Sequence, residues 1–289
     1  MNCKSPNYIL EAKKRIIVIG DLHADWEVTK KIFIDLKLID LNNKWIAEPK
    51  DSIVVQLGDQ LDGKGRGSGV DAYGEIKILD FLDFVDEQAK FYGGGIYSLL
   101  GNHELMNVSC DFSYTSNHDY KSNRCIEFKP GGKLAQRLAC SRNTIIKIGD
   151  FIFVHAGILP KHIQTVGNNF IQKINDSMKQ YLLTGNIDPQ MYKIIFSDKN
   201  SLLWTRKYNR ETICKKITDV TDYFKVKSII VGHSVQKNIT SICDNSIWKV
   251  DVGLSKSMDN NNIEVLEILD NGEAKKENNF KPYRIINLN

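Results

Sequence analysis

The chain has 289 residues, 42% hydrophobic and 26% charged, a balance that suits a globular protein able to bury a core as one large domain or two small ones. The formal net charge is +4, from 39 basic and 35 acidic residues; the two signs are interleaved, which excludes a nucleic-acid-binding stripe. No apolar stretch approaches the ~18 residues of a membrane span, and MNCKSPNYILEAKKR lacks the apolar segment of a secretory signal. A cytoplasmic chain is expected. The six cysteines, at 3, 110, 125, 140, 214 and 243, form no Cys-x-x-Cys pair, so reduced thiols are expected, although Cys110 and Cys125 bracket one loop and could pair under oxidation.

Taken in order, RIIVI (Arg15–Ile19) is a short apolar run that reads as a strand buried on both faces. Gly20, Asp21, Leu22, His23, Ala24 and Asp25 follow it, and a carboxylate and an imidazole two residues apart at such a strand end can turn towards one cation. Asp-x-His is also common turn chemistry. Val28, Ile32, Phe33 and Leu36 recur at helical spacing, with Asp25 as the expected cap. SIVVQLGDQLDG (Ser52–Gly63) repeats the opening pattern, ending in Asp59 and Asp62. KGRGSG (Lys64–Gly69) reads as a mobile or ligand-facing loop.

The best helix runs from Tyr73 to Ala89, with Ile76, Leu79, Phe81, Leu82, Phe84 and Val85 as its apolar face. Tyr97–Leu100 is a third strand, running into Gly101, Asn102, His103 and Glu104. Strands alternating with helices imply parallel βαβ units, which bring these three strand ends to one edge. Met106–Pro130 reads as a long polar excursion of the kind that is usually functional, where Phe112, Tyr114 and Tyr120 either wall a cleft or pack the excursion itself. Gly131–Cys140 is a short helix candidate. Thr144–Ile148 and Phe151–Val154 are strands, the second ending in His155. Pro160 to about Tyr223 lacks strand signals and reads as a helical cap. Ser228–Val231 is a further strand, ending in Gly232 and His233. The remainder alternates as β, with Asp270-Asn271-Gly272 a hairpin signal. One domain, 1–289, with an embedded cap at about 160–223 is expected.

Five strand ends thus offer Asp21, His23, Asp59, Asn102, His155 and His233. Carboxylate, amide and imidazole without thiolate suit Mn, Fe, Zn or Co. Six ligands exceed a structural zinc site but accommodate two ions sharing one carboxylate. A lone histidine is more often a satisfied core residue, yet four of the six histidines sit at matching strand ends. His118 and His162 are expected at the surface, Glu104 is expected to tie down its loop, and Asp251 could orient His233.

GDLHAD, GDQLDG, GNHE, VHAG and VGHS, in this order, resemble the calcineurin-like metallophosphoesterases and their phosphoprotein phosphatase branch. LLGNHELMNV, PGGKLAQRLA, FIFVHAGILP, LLWTR and VGHSVQ further resemble the Shewanella-like protein phosphatases, over roughly Ile16 to Gly253. The resemblance implies an α/β (α+β, four-layer) fold: a β-sandwich flanked by helices, the metal site at strand C-terminal ends and a helical cap inserted. It implies Asp21 and His23 on one metal, Asp59 bridging, and Asn102, His155 and His233 on the second. It also implies in-line attack on phosphorus by a metal-bridging hydroxide, His103 protonating the leaving oxygen and Asp62 orienting His103. The metals would be Mn, Fe or Zn, with Mn the choice in vitro.

The family pattern Gly-Asp-x-x-Asp-Arg-Gly is broken here by Gly63-Lys64, so its phosphate-clamping arginine is absent. Lys64 or Arg66 could substitute as a less specific clamp, or be merely solvated; Arg206 in LLWTR is the preferred remaining clamp. The expected function is a phosphomonoesterase acting on phosphoproteins, at Ser/Thr or Tyr. A dinucleoside polyphosphate hydrolase and a non-catalytic metal-binding interaction protein are the alternatives; a nuclease is the least favoured. A phosphorylated protein or small phosphoester is the expected partner, without nucleic acid or membrane, and the oligomeric state is open.

Overall fold

The computed structural model describes residues 3, 6–63, 74–115, 121–258, 262–269 and 282–289; Lys64, Arg66, His118, Tyr120 and the 270–272 hairpin signal lie outside them. In chain order the elements are β1 (Ile9–Leu10), β2 (Arg15–Ile19), α1 (Trp26–Asp35), β3 (Ile53–Gln56), α2 (Gly74–Phe91), β4 (Gly95–Leu99), α3 (Asn102–Val108), α4 (Lys121–Phe128) and α5 (Lys133–Ser141). There follow β5 (Arg142–Asn143), β6 (Ile145–Ile148), β7 (Phe151–Val154), α6 (Pro160–Val166), α7 (Phe170–Thr184), α8 (Pro189–Tyr192), α9 (Cys214–Phe224), β8 (Ser228–Val231), β9 (Thr240–Ile242), β10 (Ile247–Lys249), β11 (Glu264–Leu269) and β12 (Tyr283–Asn287).

Two six-stranded sheets form, in the orders β12-β11-β2-β3-β4-β5 and β1-β6-β7-β8-β10-β9. The βαβ alternation read from the sequence makes β2, β3 and β4 parallel neighbours, and β7 and β8 pair in parallel in the second sheet. Strand alternation explains why the sheets stack. On β7, Phe151 and Phe153 face the same apolar cluster as β2 and β3, while Ile152 and Val154 face the cluster built with α5, α6, α7 and α9. Ile230 and its neighbours Ile229 and Val231 divide the same way on β8. The result is a sandwich with helices on both outer faces, the four-layer arrangement expected from the resemblance. α1 packs on α2 through edge-on contacts of Trp26 and Phe33 with Phe81. Asp25 caps α1, accepting the Val28 N–H at 3.1 Å.

Four expectations are corrected. The 106–130 segment is only in part an irregular excursion among its described residues: α3 runs on through Val108 and α4 covers Lys121–Phe128, while 109–115 are irregular. Its polar residues misled because Asn107 and Arg124 turn inward to partners distant in sequence. Ile76 and Phe84, placed on the apolar face of α2, are 38% and 52% exposed, because the face centres on Leu79, Leu82 and Val85.

The thiols are not reduced. Cys3 pairs with Cys140, Cys110 with Cys125 and Cys214 with Cys243, each with Cα atoms 5.1 Å apart. Two of these pairs are made by the tertiary fold, across 137 and 29 residues, and spacing alone could not disclose them. His162, expected at the surface, is 2% exposed: its Nδ1 accepts the Leu159 N–H at 3.1 Å, capping α6, and its Nε2–H donates to Asn200 O at 2.8 Å.

Two expectations follow. Closing loops of 15, 29 and 137 residues is worth about 3–5 kcal/mol each in the chain-entropy account, so reductant should lower Tm by at least roughly 10 °C; an unchanged melt would contradict the pairing. Burial, with Lys161 adding to it, depresses the His162 pKa to about 4, against an ordinary value near 6.5. Between those values the unfolded chain binds more protons than the folded one. Stability is therefore full above ~6.5 and falls as pH drops towards ~4, by on the order of 3 kcal/mol. Denaturant melts at pH 7.5 and 5 should differ less in His162→Gln than in wild type.

Candidate active site

Four of the five predicted strand ends deliver side chains to one cleft of about 320 Å³, lined by Asp21, His23, Asp59, Asn102, His103 and His233, with Tyr114, Trp204, Arg206, Val235 and Met258 around them. His155 lies beneath, wholly buried. The connecting loops take unusual backbone: His23, Asp59, Asp62 and His233 all have φ between 41° and 65°. Left-handed backbone at non-glycine residues costs of order 1 kcal/mol or more and clusters at functional sites. Two glycines allow the close approach of chains. A Cβ on Gly101 would lie 2.1 Å from Asp59 Oδ1, and one on Gly232 would lie 2.4 Å from Asp21 Oδ1.

Asp59 is the centre. Ligand-competent atoms of His23, Asp59 and His103 lie within 4.8 Å of one another, and so do those of Asp59, His155 and His233. The Asp59 Oδ1 accepts the His103 N–H at 2.9 Å, while Oδ2 lies 3.4 Å from His155 Nε2 and 3.9 Å from His103 Nε2. Asp21 accepts the His233 N–H on both oxygens, at 3.2 and 3.1 Å. Asn102 Oδ1 sits 2.9 Å from His155 Nε2. The chemistry of this donor set fits two cations sharing Asp59.

Each imidazole is oriented by its other nitrogen. His23 Nδ1–H faces the carbonyls of Leu61 and Asp62 at 3.3 and 3.2 Å, and His155 Nδ1–H donates to Leu57 O at 2.8 Å. His233 instead donates Nε2–H to Trp204 O at 3.2 Å, leaving Nδ1 available. Burial and the neighbouring His155 hold the His233 pKa well below the ordinary value, which favours the neutral ring. At His155 burial works downward, but Asp59 and Asp21 override it and raise the pKa to about 10. Burial and Asp251 raise the pKa of Asp21. At Asp59 burial is outweighed by His155 and His103, and the carboxyl lies well below its usual range. The raised values at His155 and Asp21 reflect crowded carboxylates, which a divalent cation would relieve.

His103 is set differently. Its Nδ1–H donates to Asp62 Oδ2 at 2.9 Å, leaving Nε2 to the cleft. Asp62 is itself held by Asn107 Nδ2 at 2.9 Å and by Arg124 Nη2 at 3.4 Å, while its N–H is taken by Glu75 at 2.8 Å. Arg124 also bonds Asn107 Oδ1 and Glu75 Oε2, each at 2.6 Å, and lies over Phe128 and Phe112. Reading the sequence missed Arg124, Asn107 and Glu75. Their only sequence signal was polarity at positions that would otherwise read as a loop or an exposed helix face.

Glu104 ties down the loop as expected. It reaches back to the Gly101 N–H at 2.7 Å and accepts those of Asp59, Gln60 and Leu61 at 2.8, 2.8 and 3.2 Å. Burial and Asp59 push its pKa up to about 7, and the Gly101 and Asp59 N–H groups pull against them. Gln56 and Gln60, also missed, link Gly20 O, Gly58 O and Leu99 O beneath the site, and Arg142 Nε secures Gln60 at 2.9 Å. Asp251 accepts the Gly253 N–H at 2.9 Å. Phe112 packs under Arg124, whereas Tyr114 stands edge-on to His103 at 5.1 Å. Arg206 projects at the cleft mouth, with Nη1 at 3.2 Å from Ser234 Oγ.

Residues 14–237 match the profile of the calcineurin-like phosphoesterases, and the chain belongs to that family; it is a metal-dependent phosphatase. It is 27% identical to Shewanella-like protein phosphatase 2 of Arabidopsis thaliana, over 91% of this chain and 78% of that one. It is 29% identical to Shewanella-like protein phosphatase 1 of Plasmodium berghei, over 83% and 67%. A solved cold-active protein tyrosine phosphatase superposes with a TM-score of 0.75 at 25% identity, over 92% of this chain and 77% of that one.

Arg124→Ala should lower kcat about tenfold, the scale of a charge-assisted hydrogen bond, with metal stoichiometry intact. His155→Ala should lose metal. Metal analysis alongside kinetics separates the two.

Proposed function

We propose that the chain hydrolyses phosphorylated Tyr or Ser/Thr residues of proteins, with two divalent cations held by Asp21, His23, Asp59, Asn102, His155 and His233. Mn is the cation of choice for reconstitution. Bound there, such ions supply Lewis-acid chemistry, polarising phosphoryl oxygens and acidifying water. The chain's own residues do the rest. His103 Nε2 presents a proton to the leaving oxygen, and Asp62 fixes the ring through Nδ1 and stabilises its charged form. Arg124, Asn107 and Glu75 hold Asp62 in place. Arg206 clamps phosphate in place of the missing family arginine, and Tyr114 with Trp204 forms walls that suit an aryl phosphate.

The observation that carries this reading is the His103–Asp62 pair beside the Asp59-centred groups. His103 itself belongs to one of the Asp59-centred groups, but holding metal does not require Asp62 or the network that orients His103 through it, which disfavours a non-catalytic binding protein. We read residues 1–289 as one catalytic unit in which the helices at about 160–223 cap the site. The three disulfides support an oxidising compartment in place of the expected cytosol.

Metal-stripped protein given Mn should hydrolyse p-nitrophenyl phosphate and phosphopeptides faster than dinucleoside polyphosphates. His103→Ala should lose on the order of 10²–10⁴ in kcat with two metals retained. Two bound metals without turnover of any of these substrates would overturn the assignment.

A further inference from the structure

Beside the catalytic cleft lies a second one, of about 420 Å³, lined by Lys199, Asn200, Trp204, Arg206, Lys207 and Arg210. The two share Trp204 and Arg206, so a chain leaving the catalytic cleft over Trp204 enters the second directly. Its lining carries four cations and no carboxylate. The chain's charges are elsewhere mixed, and Lys199, Lys207 and Arg210 make no ion pair among the described residues. The nearest acid in the Lys199 turn, Asp198, is committed to the Asn200 N–H at 2.7 Å and to Lys161 at 3.9 Å.

The cluster is held in place. Tyr208, 2% exposed, donates its hydroxyl to Ile158 O at 2.6 Å and accepts the Ile158 N–H at 3.1 Å, so Lys207 and Arg210 flank an anchored turn. Arg210 N–H closes that turn on Lys207 O at 3.2 Å. The Lys199 turn is fixed from within, through the His162 bond to Asn200 O at 2.8 Å. Asp198 and Glu211 adjoin Lys199 and Arg210 in the chain, but neither lines the cleft; four like charges in one lining create a local positive potential that draws anions.

We propose that this cleft is a specificity subsite for an anionic residue close in sequence to the phosphorylated one, a carboxylate or a second phosphate, since the two clefts share Trp204 and Arg206. The inference rests on the phosphoprotein reading above. Its cations recognise the flank, while Arg206 stays with the scissile phosphate.

The test uses Mn-loaded full-length protein and phosphopeptides identical except for flanks of Ala, Glu or phosphoserine, with p-nitrophenyl phosphate as the flankless reference. Wild type is expected to favour both anionic flanks about tenfold in kcat/KM, with the advantage shrinking in salt. Lys207→Glu/Arg210→Glu, and more mildly Lys199→Ala, should abolish the preference through KM, leaving kcat and p-nitrophenyl phosphate turnover unchanged. A preference for phosphoserine alone would assign the subsite to phosphate, and one for Glu alone to carboxylate. Normal turnover of the reference with no flank preference overturns the subsite and leaves the phosphatase reading standing. Absence of turnover on the reference and on every peptide overturns both. A KM effect confined to dinucleoside polyphosphates would overturn the peptide assignment.

Discussion

The whole site depends on burying one carboxylate. Asp59 is 2% exposed, and a charge so placed costs several kcal/mol unless it is surrounded by compensating groups. The chain supplies them: the His103 N–H on one oxygen, the rings of His155 and His103 near the other, and Glu104 gathering the N–H groups of the Asp59 loop. Room for this arrangement comes from the bare Cα of Gly101. The two sheets provide rigid strand ends, and the left-handed residues aim side chains that ordinary turns would send elsewhere.

Around that centre the structure separates two tasks. Asp21, His23, Asn102, His155 and His233 gather, around Asp59, carboxylate, amide and imidazole donors that suit divalent cations. Asp62, Asn107, Glu75 and Arg124 form a connected network on the other side of His103, satisfied among themselves by hydrogen bonds and ion pairs. Buried polar networks of this kind are stable when every member is partnered, and this one fixes the ring of His103 without occupying the nitrogen that faces the cleft.

Much of this was legible in the sequence, for physical reasons. Short apolar runs ending in Gly-Asp, Gly-Asn or Val-His mark parallel strand ends, and parallel strands must present those ends on one edge. Asp21, His23, Asp59, Asn102, His103, His155 and His233 were therefore found together in advance. Arg124 was not, because nothing local distinguishes an arginine turned into the fold from one in solvent: α4 is a mostly polar helix. The disulfides were invisible for the same reason, their partners being brought together by tertiary packing. His162 looked like a surface residue because its burial depends on Asn200 O, contributed from a turn 38 residues on. The dinucleotide Gly63-Lys64 departs from the pattern that the chain resembles, and a substitute for the arginine expected there can lie anywhere in the chain.

The stretch from Asn107 to Arg124 is stapled at both ends. Asn107 and Arg124 bond each other and Asp62, and the Cys110–Cys125 bridge closes the same stretch covalently. Phe112 and Tyr114 lie inside that bracket, the first under Arg124 and the second edge-on to His103. In engineering terms the bracket is a redundant anchor: opening the Cys110–Cys125 bridge would leave Asn107 and Arg124 bonded to each other and to Asp62, whereas replacing Arg124 would release that end of the stretch from Asp62.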